Sequence, residues 1–285
     1  MASPVPTIDL PSGTSLPILG QGTWRMGEDR RKYADEVAAL QRGIDLGMTL
    51  LDTAEMYGDA ELVIADAIAG LPREKLFLVS KVLPSNASRR GTITACERSL
   101  KRLKTDHLDC YLLHWRGSYP FEETVAAFDE LVRSGKIRSW GVSNFDTDDL
   151  DELLDVAGEG KIACNQVLYH LQERAIEHAV IPWCERHGTA VVAYSPFGHN
   201  DFPSARSKAG EVLQAIADAH KATARQVALA FLTRAASVLA IPKASSAEHA
   251  AENAAAGDLK LSEAEIAALD KAFPRGPKPR GLPML

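Results

Sequence analysis

The stretch "LLDTAEMYGDAE", Leu50–Glu61, ends an apolar run on a carboxylate at Asp52 and then places a phenol at Tyr57 with no helix start between them. Alone it reads as a strand end and a loop. Two later stretches, "LFLVSKV" and "CYLLHW", stop as abruptly, on Lys81 and on His114. Parallel strands covered by helices on their outer face are nearly continuous apolar runs. In a barrel of such strands the polar residues that close each run gather at one rim.

Working outward, every such run is followed by a helical stretch. "TLLDTA" leads to "AELVIADAIAG", "LFLVSKV" to "ITACERSLKRL", and "LDCYLLH" to "FEETVAAFDELVRSG", whose spacing puts Phe121, Val125, Phe128 and Val132 on one face. "IRSWGVS" precedes "DTDDLDELLDVA", "IACNQVL" precedes "EHAVIPWCERHG", and "TAVVAYSP" precedes "GEVLQAIADAH" and "RQVALAFLTRA". "SVLAIPKAS" with "AEHAAENAAAG", and "PILGQGTW" with "DEVAALQRGIDLG", complete eight strand-helix units. The pattern predicts an α/β fold, a (β/α)₈ TIM barrel, as one domain over residues 1–285. Residues 1–18 read as an N-terminal β-hairpin turning at Ser12–Gly13 that closes the barrel floor. "SEAEIAALDKAF" reads as an extra C-terminal helix opened by a Ser262/Glu265 capping box, and residues 274–285 as an extended or mobile Pro- and Gly-rich tail.

Composition narrows the functional classes. With 32 Lys+Arg against 38 Asp+Glu the formal charge is -6, which repels nucleic acid and anionic membrane. No run of about 18 apolar residues and no export signal occurs, so a cytoplasmic location is expected, with no membrane partner. Cys96, Cys110, Cys164 and Cys184 form no Cys-x-x-Cys pair and read as buried, reduced thiols. The histidines show no metal-ligand spacing, so no metal site is expected.

Strand neighbours lie about 4.8 Å apart, so Asp52, Lys81 and His114 at three successive strand ends fall within roughly 10 Å, with Tyr57 able to bend back over them. A phenol titrating near about 10 is a weak acid at neutral pH. A neighbouring ammonium favours phenolate, and a carboxylate keeps that ammonium charged and in place. The set therefore reads as acid catalysis. Tyr57 is the acid, Lys81 polarises it, Asp52 holds Lys81, and His114 donates to or orients a carbonyl oxygen.

Here the chain resembles the aldo-keto reductases, over almost its whole length. The likeness is carried by "GQGTW" (20–24), "LLDTAEMYG" (50–58), "LVSKV" (78–82), "LDCYLLHW" (108–115), "GKIRSWGVSNF" (135–145), "NQVLYH" (165–170), "AYSPFG" (193–198) and "IPKAS" (241–245). Within the family it looks most like the short-looped bacterial members that reduce methylglyoxal and other small aldehydes. The resemblance implies NADPH as hydride donor, spread across the barrel mouth. No Gly-x-Gly-x-x-Gly turn follows a strand to supply a separate dinucleotide domain. By that likeness Thr23 belongs to the cofactor site, Ser143, Asn144 and Gln166 hydrogen-bond the nicotinamide carboxamide, and Tyr194 stacks on its ring. Ser195 and Gly198 line the pyrophosphate, Lys243 and Ser246 the 2′-phosphate, and Glu252 and Asn253 the adenine. His249 stands where NADP-specific relatives usually carry Arg. A neutral imidazole at pH 7 discriminates less sharply than a guanidinium, so some NADH is tolerated.

Trp24 and Trp115 are expected to flank the reacting carbonyl, with Phe121 and Phe145 either joining them or lying in the core. The loop after the fourth strand and the tail are short, which implies a shallow, open, apolar pocket for small carbonyls. Arg116 stands beside it as either a substrate-steering charge or a solvated rim charge. The expected partners are a small carbonyl substrate and, at most, copies of the same chain, as a monomer or weak homo-oligomer. Two rival readings differ in class. One is a barrel that binds the nucleotide without turnover, as a redox sensor or regulatory subunit. The other is a hydrolase built on Asp52 and Glu55.

Overall fold

A computed structural model describes residues 5–9 and 14–285. The predicted turn at Ser12–Gly13 lies outside the described residues. Its flanks pair as expected: β1 (Thr7–Asp9) runs antiparallel to β2 (Ser15–Pro17). Eight strands follow, β3 (Gln21–Gly22), β4 (Leu50–Asp52), β5 (Phe77–Val82), β6 (Leu108–Leu113), β7 (Ile137–Ser143), β8 (Ile162–Leu168), β9 (Ala190–Tyr194) and β10 (Val238–Ala240). They form one parallel sheet in chain order. A parallel bridge between Leu19 and Ala240 joins its two ends, with Gly20 N donating to Ala240 O at 2.8 Å and Ala240 N to Ile18 O at 2.9 Å. The sheet is thereby closed into the expected barrel.

Each strand is followed by its helix: α1 (Tyr33–Asp45), α2 (Ala60–Ala67), α3 (Arg89–Leu103), α4 (Phe121–Arg133), α5 (Thr147–Ala157), α6 (Val180–His187), the pair α7 (Lys208–His220) and α8 (Ala224–Leu232), and α9 (Ala247–Ala255). The extra helix α10 (Glu263–Ala272) opens with the Ser262/Glu265 capping box read from the sequence and packs on α7. Two apolar layers result. Leu50, Val79, Cys110, Leu112, Cys164, Val192 and Leu239 fill the barrel, joined from below by Leu16 of the hairpin, and a larger layer lies between strands and helices. All four cysteines are buried and free.

The predicted face of α4 needs one correction. Phe121, Val125 and Phe128 are buried, but Val132 is exposed and Leu131 takes its place in the core. The helix period of 3.6 allows a step of either three or four residues after Phe128, and only the sheet decides which one faces inward.

A register shift between β7 and β8 matters for the site. Trp140 pairs with Ile162, yet Val142 pairs with Asn165, so β8 carries an extra residue. Gly141 sits at this bulge, where a Cβ would stand 2.4 Å from the Cys164 carbonyl oxygen. A bulge re-aims the side chains beyond it. Beyond this one, Asn165 bonds both backbone polar groups of Phe145, while Gln166 points into the barrel at Asp52. Gly141→Ala is expected to destabilise the protein by about 1–3 kcal/mol through overpacking, read as a lowered urea midpoint with unchanged m-value.

Candidate active site

Lys81 is fully buried at the end of β5, and its Nζ donates to Asp52 Oδ1 at 2.6 Å and to the Thr53 carbonyl at 2.8 Å. The same Nζ lies 3.5 Å from the Tyr57 hydroxyl, which is itself 3.5 Å from His114 Nε2. Three adjacent strand ends and one loop thus bring the four expected groups together. Asp52 is braced on its other side: Gln166 Nε2 donates to Oδ2 at 2.7 Å, and Thr23 Oγ1 donates to the Asp52 carbonyl at 2.8 Å. Gln166 and Thr23, read as cofactor residues, therefore also hold Asp52, the first by its carboxylate and the second by its backbone.

The electrostatics correct one expectation. Burial raises the Tyr57 phenol above its usual value; Lys81 pulls it down but is outweighed, and Asp52 adds to the rise. At this depth desolvation of a phenolate exceeds the help of one ammonium. The phenol therefore stays protonated through neutral pH. Burial also opposes the charge on Lys81, but Asp52 and Tyr57 raise it overall, so the ammonium persists. His114 is pushed down to about 3, by burial first and Lys81 second. Its Nδ1 is buried with no partner. An N–H left without an acceptor costs more than an idle lone pair, which places the proton on Nε2, facing Tyr57.

The surrounding wall comes from β7, β8 and β9. Asn144, at φ 63°, donates from Nδ2 to the His114 carbonyl and to Ser143 Oγ, both at 3.1 Å, and accepts from the Tyr194 hydroxyl at 2.8 Å. Ser143 Oγ donates to the Gln166 carbonyl at 2.8 Å. Ser195 and Gly198, both at positive φ, form a turn closed by Gly198 N on Ser195 O at 2.8 Å. Lys243 is half-buried on the same cavity, and burial lowers its pKa. Ser246 caps α9 by accepting from His249 N at 3.2 Å. His249 is exposed on the first turn of α9, Asn253 is buried, and the Glu252 carbonyl accepts from Gln226. These four lie on α9 and its cap and do not line the cavity.

That cavity, about 350 Å³, is bounded by Trp24, Met56, Tyr57, His114, Trp115, Tyr194, Phe197, His199, Met284 and Leu285 among others. Trp24 and Trp115 lie where expected. Phe121 and Phe145 are core, packed on each other with ring centroids 5.5 Å apart. Arg116 is engaged by Asp149 and Glu152, each at 2.7 Å, and lies over Phe121, so it is not free to steer substrate. Glu55 accepts from Leu83 N and Asn86 Nδ2 and pairs with Arg98, so it gives no second catalytic carboxylate beside Asp52. Sequence reasoning missed Met56, Phe197, His199, Met284 and Leu285. Adjacency to Tyr57 and Gly198 could have marked Met56, Phe197 and His199; no sequence signal marks the tail residues. His199 meets Trp24 at 5.5 Å between ring centroids, so the loops after β9 and β3 touch above the site.

A buried ammonium beside a protonated phenol, with a neutral imidazole N–H at its side, is an arrangement able to protonate an oxygen. A match to the Aldo/keto reductase family spans residues 18–273, and the chain belongs to that family. It is 52% identical over 269 residues to the methylglyoxal reductase YeaE of Escherichia coli (strain K12), covering 94% of each chain. It is 35% identical to the glyoxal reductase of Bacillus subtilis (strain 168), covering 96% of each. An aldo-keto reductase from Klebsiella pneumoniae crystallised with NADPH superposes with a TM-score of 0.92 at 46% identity over 100% of both chains.

The His114 environment has a stability consequence. The unfolded imidazole takes up a proton below about 6.5, whereas the folded one resists until about 3. Its contribution is present above pH 6.5 and lost as pH falls toward 3. Between pH 7 and 4.5 this amounts to about 2–3 kcal/mol. Urea unfolding of His114→Asn should show that much less loss over the same interval than the wild type.

Proposed function

We propose that this chain reduces small aldehydes and ketones such as methylglyoxal to alcohols with NADPH, using Tyr57 as the general acid. The observation that carries this is the Lys81 ammonium lying 3.5 Å from the Tyr57 hydroxyl, with the His114 Nε2 equally close. The comparisons support the substrate and cofactor class through the names of the relatives and the NADPH in the Klebsiella structure.

The residues present fit a reduced nicotinamide dinucleotide. Tyr194 offers a ring face on the cavity, Ser143 and Asn144 stand beside it, and the Ser195–Gly198 turn and half-buried Lys243 offer backbone and charge to phosphates. The α9 amino end, with Ser246, His249, Glu252 and Asn253, would hold the 2′-phosphate and adenine. When bound, that cofactor supplies a hydride to the carbonyl carbon. The chain's own residues do the rest. The carbonyl oxygen accepts from the Tyr57 hydroxyl and the His114 Nε2–H, whose heavy atoms lie 3.5 Å apart on the cavity wall. As negative charge grows on that oxygen, the Tyr57 proton transfers to it. The phenolate left behind is stabilised by Lys81, whose charge Asp52 maintains. His114, neutral, orients the oxygen without competing as an acid. The apolar wall of Trp24, Trp115 and Met56 suits small carbonyls.

A nucleotide-binding barrel without turnover is not favoured, because Tyr57, Lys81, Asp52 and His114 are all present and in contact. Among the described residues no helix is long and apolar enough to cross a membrane. We place the enzyme in the cytoplasm, acting as a monomer or weak homo-oligomer.

The decisive measurement is the loss of absorbance at 340 nm with NADPH and methylglyoxal; no oxidation above the blank would dismiss the reading. Tyr57→Phe should lower kcat about 10³-fold while leaving NADPH binding by fluorescence nearly unchanged. Retention of more than about a tenth of the activity would assign the acid elsewhere. For His249→Arg, the ratio of kcat/KM for NADPH over NADH should rise by about 10-fold, the scale of one charge-assisted contact.

A further inference from the structure

The tail expected from sequence to be extended or mobile, and too short to shape the pocket, instead reaches it: Met284 and Leu285 line the cavity, and Leu285 N lies 3.4 Å from the Tyr194 hydroxyl. Between Gly276 and Leu285 the tail makes no hydrogen bond or ion pair among the described residues, while Leu282 rests on the outer core. Its polar ties therefore lie at its two ends, and most of them are where it starts. There a buried guanidinium, Arg174 in the loop after β8, donates to the Phe273 carbonyl and to Asp270 Oδ1, each at 2.6 Å. Arg174 is held in turn by Glu177, at 2.8 Å from Nε and 2.7 Å from Nη2. Glu177 also accepts from Tyr169 and from Arg234 at 3.1 Å, faces Arg275 at 3.8 Å, and is pushed down to about 2 because these partners outweigh its burial. His178 Nε2 meets the Gly276 carbonyl at 3.1 Å. Residues 270–276 are thus tied at four points, Asp270, Phe273, Arg275 and Gly276, to a polar cluster that takes no part in proton transfer.

We propose that the Arg174–Glu177 cluster is a remote positioning device for the substrate pocket, one that fixes the start of the tail so that Met284 and Leu285 form a wall selecting among carbonyl substrates by size. The inference rests on the proposed carbonyl reduction. Methylglyoxal, with its few atoms, fits between Tyr57, His114 and the two indoles and does not need the wall. A substituted benzaldehyde extends outward and packs against Met284 and Leu285. Arg174 and Glu177 act here through the tail and touch neither substrate nor cofactor.

The test uses Asp270→Ala/Arg275→Ala, which removes two half-exposed partners (side chains 47% and 51% exposed) and leaves the buried Arg174–Glu177 pair in place. KM for 4-nitrobenzaldehyde should rise at least about five-fold, with kcat, KM for methylglyoxal and the Kd of NADPH each within about two-fold. In a Met284→Ala/Leu285→Ala background the same two substitutions should add less than about two-fold, because the coupled element is already gone. Trypsin should remove residues 281–285 at Arg280 at least about five times faster from the Asp270→Ala/Arg275→Ala variant, which keeps only the Phe273 and Gly276 ties, read by intact mass. Equal shifts in KM for both aldehydes, a full effect in the Met284→Ala/Leu285→Ala background, or unchanged trypsin cleavage would each overturn the proposal. If the wild type reduced neither carbonyl, the functional reading would fail, and the cleavage rates would still decide whether the cluster holds the tail.

Discussion

The buried ion pair of Lys81 and Asp52 is the constraint on which the rest of this molecule depends. Taking an ammonium and a carboxylate out of water costs several kcal/mol per ion, and the loss is offset only where every remaining proton and lone pair finds a partner. Here Lys81 has the Thr53 carbonyl as well as Asp52, and Asp52 has Gln166 on its second oxygen. Gln166 can reach inward because β8 carries an extra residue opposite Gly141, and the Asp52 backbone is held by Thr23 from β3's end. Removing either ion would leave a bare charge in the barrel, at about 3–5 kcal/mol. Packing of the barrel and construction of the site are in this sense one problem.

The rim above that pair is built from backbone held in uncommon conformations. Asn144 and Ser195 both adopt positive φ, at 63° and 48°. Such residues persist where surrounding contacts over-determine them. Asn144 spends its side chain on the His114 carbonyl, Ser143 and the Tyr194 hydroxyl, which links the ends of β6, β7 and β9 into one polar frame. With His114 neutral and Tyr57 protonated, the frame presents two O–H and N–H donors against a cation that carries no proton-transfer role of its own. In the proposed reaction the pieces divide the labour: Lys81 supplies field, Tyr57 the proton, His114 direction.

Much of this was legible in the residues. The ends of "LLDTA", "LFLVSK" and "CYLLH" mark strands that stop on chemistry, and the three groups do share a rim. The α4 face was read correctly at Phe121, Val125 and Phe128 and missed at its last turn, since spacing alone permits either Leu131 or Val132. The opposite roles of Arg116, Phe121 and Phe145 as rim or core could not be separated, because an aromatic or a cation beside a motif has the same sequence signature in both. The brace that Gln166 gives Asp52 was hidden by the register shift, which no local pattern announces.

What the sequence by itself determined is the alternation of apolar runs and helices, the closure of those runs on Asp52, Lys81 and His114, and the placing of Tyr57 within one loop of them. These follow from short-range rules of periodicity and strand termination. Only the tertiary structure decided the sign of the Tyr57 shift, the neutrality of His114 and the path of the tail to Met284 and Leu285. Each of these depends on burial and on partners far along the chain, and desolvation is a property of the assembled interior that no local stretch of residues contains.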